Sequence, residues 1–159
     1  MEKITAEDLL RRYAAGCRDF QRILIEYADL SGVELQNIDL GHAKFRYVNL
    51  SSTNLRSCNL IGSEFCYCNL RNANIESCFF ECAWFLDCDL GGINTRICEL
   101  TSTRFIRVNL QDAKLSGSGE EPCEFWDVIR PDGKFIPGFT YVIYPAPSPD
   151  KVNGEDIPF

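Results

Sequence analysis

Histidine is nearly missing: His42 is the only one in the chain. A glycine-rich phosphate loop and a nucleophile elbow are missing altogether. Acid–base, nucleophilic and phosphate-handling chemistries each need such groups held together. His42 reads as an ordinary exposed residue at a chain corner, and Glu26, Glu64, Glu76 and Glu99 read as a scattered, solvated face. No enzyme activity is therefore expected, and neither a cofactor nor a metal site. No apolar run approaches the roughly 18 residues of a membrane span, and residues 1–16 lack the apolar segment of a signal peptide. No basic stripe is continuous, so neither nucleic acid nor membrane is an expected partner. Nine cysteines without an export signal point to reduced thiols in a cytoplasm.

The ordinary helix and strand periods are absent as well. A five-residue beat stands in their place. Of the twenty positions divisible by five from Phe20 to Leu115, nineteen are Leu, Ile or Phe, and Thr95 is the exception. Two residues upstream of each, the chain is small or moderate, as at Ala43, Val48, Cys58, Ser63 and Ala83. The residue between is usually polar, as at Asp29, Asp39, Asn49, Asn59 and Asn69. Five residues turn a helix by about 500°, which would smear the apolar positions around it. In a strand an odd repeat sends successive Leu to opposite faces. What fits is a short in–out–in extended triplet followed by a two-residue corner. Gly32, Asn37, Ser52, Gly62 and Asn72 occupy the second corner position, where small polar residues suit a turn.

Spacing by twenty sorts the large residues into columns. Phe45, Phe65, Phe85 and Phe105 share one, begun by Ile25. Their inward neighbours are the small Ala43, Ser63, Ala83 and Thr103, whereas Ile25 has the larger Ile23. Such volume compensation belongs to close packing. Twenty residues per turn means four sides, hence a square coil of five turns.

This pattern resembles the pentapeptide-repeat family, whose motif is approximately A-[D/N]-L-X-X, over residues 18–117. The resemblance implies an all-β solenoid, a right-handed quadrilateral β-helix. The segment "FWDVIRPDGKFIP" is similar to a Pro-Asp-Gly segment that follows the repeats in some cyanobacterial members. Three parts are expected: a capping helix in 1–16, the coil in 17–117, and a hairpin with a mobile tail in 118–159. In the first, Thr5 suits an N-cap, Ala6–Ala15 a helix with Leu9, Leu10, Tyr13 and Ala14 on one stripe, and Gly16 the position beyond its end. In the last, "SGSGEEP" reads as a link and "GFTYVIYP" as a further strand.

Inward columns take up most of the cysteines: Cys58, Cys78 and Cys98 in one, Cys68 and Cys88 in another. They read as small hydrophobes, with Cys66 and Cys82 as the exposed thiols. Outside the coil, Tyr27, Tyr47 and Tyr67 recur at twenty and should stack along one corner. Nearby, Trp84, Leu86 and Ile106 should point outward. Either the aromatic tail (Phe125, Trp126, Phe135, Phe139, Tyr141, Tyr144) folds back to cover those three, which is the favoured expectation, or these residues form a partner or homodimer surface.

Some members of this family mimic duplex DNA and bind type II topoisomerases such as gyrase. A mimic needs dense negative charge along its rod. The chain carries −7, but residues 17–117 hold twelve acids against ten bases, and residues 118–159 hold eight against three. Gyrase mimicry is thus the alternative. The leading expectation is a rigid protein–protein interaction module with an unidentified protein partner.

Overall fold

The computed structural model describes residues 1–119 and 121–142. Its strands are β1 (Glu2–Lys3), β2 (Ile23–Glu26), β3 (Lys44–Arg46), β4 (Glu64–Cys66), β5 (Trp84–Leu86), β6 (Cys98–Glu99), β7 (Arg104–Ile106), β8 (Gly117–Ser118), β9 (Cys123–Ile129) and β10 (Phe135–Val142), with one helix, α1 (Ala6–Ala14). From β2 through β3, β4, β5 and β7 to β9, each strand pairs in parallel with the next, and partners are twenty residues apart. The other three sides carry bridges at the same spacing, such as Asp29↔Asn49, Glu34↔Asn54 and Asp39↔Asn59. The chain therefore winds as a four-sided β-solenoid.

The shaft is filled as the columns require. Phe45, Phe65, Phe85, Phe105 and Phe125 stack with ring centroids 4.8–5.2 Å apart and planes within 8°. All five are buried. Hydroxyls and thiols at the small inward position also find partners. Thr53 Oγ1 donates to the carbonyl of Leu30 at 2.7 Å, Cys78 Sγ to Leu55 at 2.9 Å and Cys98 Sγ to Ile75 at 2.9 Å. In each case the acceptor lies 23 residues upstream, in the coil below. Cysteine and threonine thus do here what alanine cannot, satisfying a buried carbonyl at no cost in volume. Thr95, the exception at the apolar centre, is buried too. Its hydroxyl donates to Ser116 O at 2.8 Å and accepts from Ser116 N at 2.7 Å.

Three sides place Asp, Asn or Glu outward because that residue closes the corner. Asn49 Oδ1 accepts from Ser51 N, and Asn69 Oδ1 from Arg71 N. Each amide then donates downward, Asn69 Nδ2 to Asn49 and Asn49 Nδ2 to Asp29. A rung with an amide above it needs only an acceptor, as at Asp29 and Glu34, which begin their columns, and at Asp39, which lies over Asp19. On the Phe-lined side the equivalent residues, Leu24, Lys44, Glu64, Trp84 and Arg104, lie within the three- or four-residue strands β2, β3, β4, β5 and β7. At the second corner position the backbone is left-handed at every repeat from Arg22 to Asp112, including Tyr27, Tyr47, Tyr67 and Ile97.

The N-terminal end is capped. Thr5 Oγ1 accepts from Asp8 N at 3.0 Å, Leu9 is buried, and Leu10 and Tyr13 pack against the core. Tyr13 donates its hydroxyl hydrogen to Gln36 O at 3.0 Å, while Ala14 faces solvent.

Three expectations change. The coil makes about six turns, not five: β9 stacks on β7 with Phe125 over Phe105. The "SGSGEEP" segment is not merely a link, since β8 within it pairs with β6. It spans one side without the repeat motif but at the right length, so Cys123, Phe125 and Val128 re-enter the columns. Nor does the described tail fold back over the coil. β9 and β10 form the hairpin around Pro131, Asp132 and Gly133, extending the sheet along the solenoid axis. Phe125 enters the core, and Trp126 continues the outer surface instead of covering it. Tyr144 and the expected mobile tail lie outside the described residues.

Candidate functional site

The six surface residues singled out from the sequence lie on or beside one corner, between the Phe-lined side and the side that follows it. Tyr27, Tyr47 and Tyr67 stack there with centroids 5.1 and 4.9 Å apart and planes within 4°. Tyr27 is 77% exposed, and the other two are about half exposed. Ring faces are spent on one another, so edges and hydroxyls meet solvent. Above Tyr67 the column turns charged. Asp87 accepts two bonds of 2.7 Å from Arg107. The Asp87 charge raises the Tyr67 phenol, and Arg107 lowers Asp87.

One residue upstream, the adjoining column does the opposite. It begins charged with Glu26 and Arg46, then becomes apolar through Cys66, Leu86, Ile106 and Trp126, which sit in register. Trp126 meets Phe139 of β10 at 4.8 Å. Apolar surface therefore runs the length of the corner, stepping sideways by one residue between Tyr67 and Leu86. Trp84 flanks it, 44% exposed, with the Arg104 guanidinium 5.1 Å from its ring centroid.

Trp126 and Phe139 are the members that sequence reasoning missed. Trp126 follows Ile106 by twenty, so counting the columns past Leu115 places it in this row. Phe139 reaches the row only through antiparallel pairing in the hairpin, which no column predicts.

Charges beside the stripe are matched within the molecule. Lys44 pairs with Glu64 at 2.7 Å, Arg104 with Glu124 at 2.7 Å, and Glu26 with both Lys3 at 2.9 Å and Arg46 at 3.5 Å. No group of three or more His, Cys, Asp or Glu suited to a metal occurs among the described residues. His42 lies exposed at its corner. All nine cysteines are unpaired; Cys82 is exposed, and Cys66 and Cys17 are half-buried. Burial pushes the Cys98 and Cys123 thiols up to about 12, the opposite of what a reactive thiol needs. No helix among the described residues is long and apolar enough to cross a membrane.

Residues 18–95 match the family model of the pentapeptide repeat region. Among solved structures, a pentapeptide repeat protein from the Arabidopsis thaliana thylakoid lumen is 20% identical with a TM-score of 0.54, and the match covers 57% of this chain and 63% of that one. One from Nostoc is 25% identical, covering 62% and 82%, with a TM-score of 0.37. QnrB1, a plasmid-mediated fluoroquinolone resistance protein, is 19% identical, covering 63% and 64%, with a TM-score of 0.31. The likeness to the Arabidopsis protein is one of fold. No curated protein matches the sequence.

Proposed function

This chain is a pentapeptide-repeat protein, and from that premise we propose that it is a non-enzymatic interaction module that holds a partner protein along one corner of its coil. The observation carrying this reading is the apolar stripe from Tyr27 to Trp126. Elsewhere the exterior is dominated by residues that close corners or pair ions between coils. Along this corner Tyr27, Tyr47, Tyr67, Trp84 and Trp126 are exposed and Leu86 and Ile106 partly so, and contiguous exposed apolar surface is where proteins bind one another. The parallel ladders make the scaffold rigid, so a partner meets a preformed surface and little ordering cost is incurred on binding. Capture from the native host, comparing wild type with Tyr47→Ala and Trp84→Ala, tests the reading. A partner retained by wild type and lost from the variants supports it; partners retained equally by all three contradict it.

Duplex mimicry toward a topoisomerase is supported less well. Glu64, Glu76, Asp87 and Asp89 are each bound to a basic residue of a neighbouring turn, which neutralises part of the negative charge that would imitate phosphates. A supercoiling assay with purified gyrase separates the readings, inhibition at low protein concentration favouring the mimic. The proposed setting is the cytoplasm, whose reducing poise suits nine thiols. A free-thiol count after unfolding in native extract tests that placement.

A further inference from the structure

Resting on the interaction-module reading, we infer that the corner stripe is a track for one amphipathic α-helix of a partner, lying lengthwise along the coil axis. Spacing carries the inference first. The rungs repeat at about 4.8 Å, and the stacked tyrosines stand 4.9 and 5.1 Å apart. Residues three and four apart on a helix rise about 4.5 and 6.0 Å, which brackets one rung. Same-face residues of an extended peptide recur at about 6.7 Å and fall out of step within two rungs. The one-residue sidestep between Tyr67 and Leu86 makes the track oblique. A helix pitch of about 5.4 Å matches a shorter rung when the helix is inclined to the coil axis. Six rungs, from Tyr27 to Trp126, span about 24 Å, the length of roughly 16 helical residues.

Chemistry narrows the occupant further. The inner tyrosine faces are covered by each other, so a row of nucleic-acid bases or sugar rings cannot stack along the ladder. The flanking charges alternate in sign along the corner and are already paired, as in Lys44–Glu64, Arg104–Glu124 and Arg107–Asp87. The complementary partner is therefore an apolar helical face with flanks of low net charge. A polybasic or polyacidic segment gains nothing here. Binding should accordingly depend little on salt.

Three displayed libraries of 18-residue peptides test this on the full chain. One fixes apolar residues at helical spacing (i, i+3, i+4, i+7), one alternates apolar and polar residues, and one has the same composition without pattern. The expected result is enrichment from the helical library alone. Its binders should weaken at least tenfold on Tyr47→Ser and on Ile106→Gln, and change less than twofold between 0.15 and 0.5 M NaCl. Both variants copy residue types already used at those corner positions, Ser52 and Gln36, so the fold is kept. Binders drawn mainly from the alternating library, and lost in the same variants, would overturn the helix and leave the module reading standing. Equal enrichment from the unpatterned library, or binders indifferent to both variants, would overturn the track. If no library yields binders, the helix assignment falls, and host capture with Tyr47→Ala decides the module reading separately.

Discussion

Replacing Ile97 by glycine should make this protein more stable, although it deletes a large apolar side chain. Ile97 sits at the second corner position with φ +59° and is 67% exposed, so its side chain contributes little burial. A left-handed backbone costs an L-residue about 1–2 kcal/mol, and branching at Cβ puts isoleucine toward the upper end. Glycine adopts that conformation freely but gives up about 0.5–1 kcal/mol through its larger unfolded-state entropy. The difference is a gain of about 0.5–1 kcal/mol, or roughly 1–4 °C in melting temperature for a domain of this size. Gly32→Ala is the mirror experiment. Gly32 has φ +68°, and a Cβ there would meet nothing within 4 Å, so the substitution imposes the backbone cost without a clash. It should lose about 0.5–1 kcal/mol. Urea and thermal unfolding of the two variants and wild type measure both. Loss of stability in Ile97→Gly, or no change in Gly32→Ala, would refute the left-handed corner as the place where strain is stored.

Phe85→Ala removes a ring stacked between Phe65 at 4.9 Å and Phe105 at 5.2 Å, and should cost about 3–5 kcal/mol in urea unfolding. Phe85→Leu should cost much less. Asn69→Asp loses the donation to Asn49 and sets a carboxylate one rung below Asp89; a loss of about 1 kcal/mol at neutral pH, partly recovered under mild acid, is expected. Burial raises the Cys98 thiol to about 12, against an ordinary value of about 8.5. The unfolded chain therefore releases this proton first. The stabilisation is complete below about pH 8.5 and declines toward about 12, by about 1.4 kcal/mol per pH unit. Cys98→Ala should flatten the fall in urea midpoint between pH 7 and pH 10; an unchanged slope would contradict the buried-thiol account.

Where side-chain size and polarity repeat at a fixed interval, the structure was legible in the sequence. The Phe column, the inward cysteines and the tyrosine stack follow from stacking at twenty, because each column must fill the same volume in every turn. Thr95 and the 116–122 segment broke the pattern, and the sixth turn was lost with them. There the coil is continued by backbone pairing at Gly117–Ser118, which slips to nineteen residues before β9 returns to twenty, and by the Thr95 hydroxyl, neither of which leaves an apolar signature. Left-handed corners were visible only where small residues marked them. At Tyr27 or Ile97 the coil imposes the conformation against local preference. Along the stripe, Trp126 was readable from the columns, whereas Phe139 depends on a hairpin register shifted between Ile136 and Phe139.

The vertical register itself can be measured by nuclear Overhauser contacts in labelled protein. The four-sided coil predicts ring-to-ring contacts between Phe65 and Phe85 and between Tyr47 and Tyr67, with backbone contacts linking Asn49 to Asn69, all twenty residues apart. Contacts recurring at fifteen or twenty-five instead would contradict it, and the columns, the corner stripe and its proposed partner would fall together.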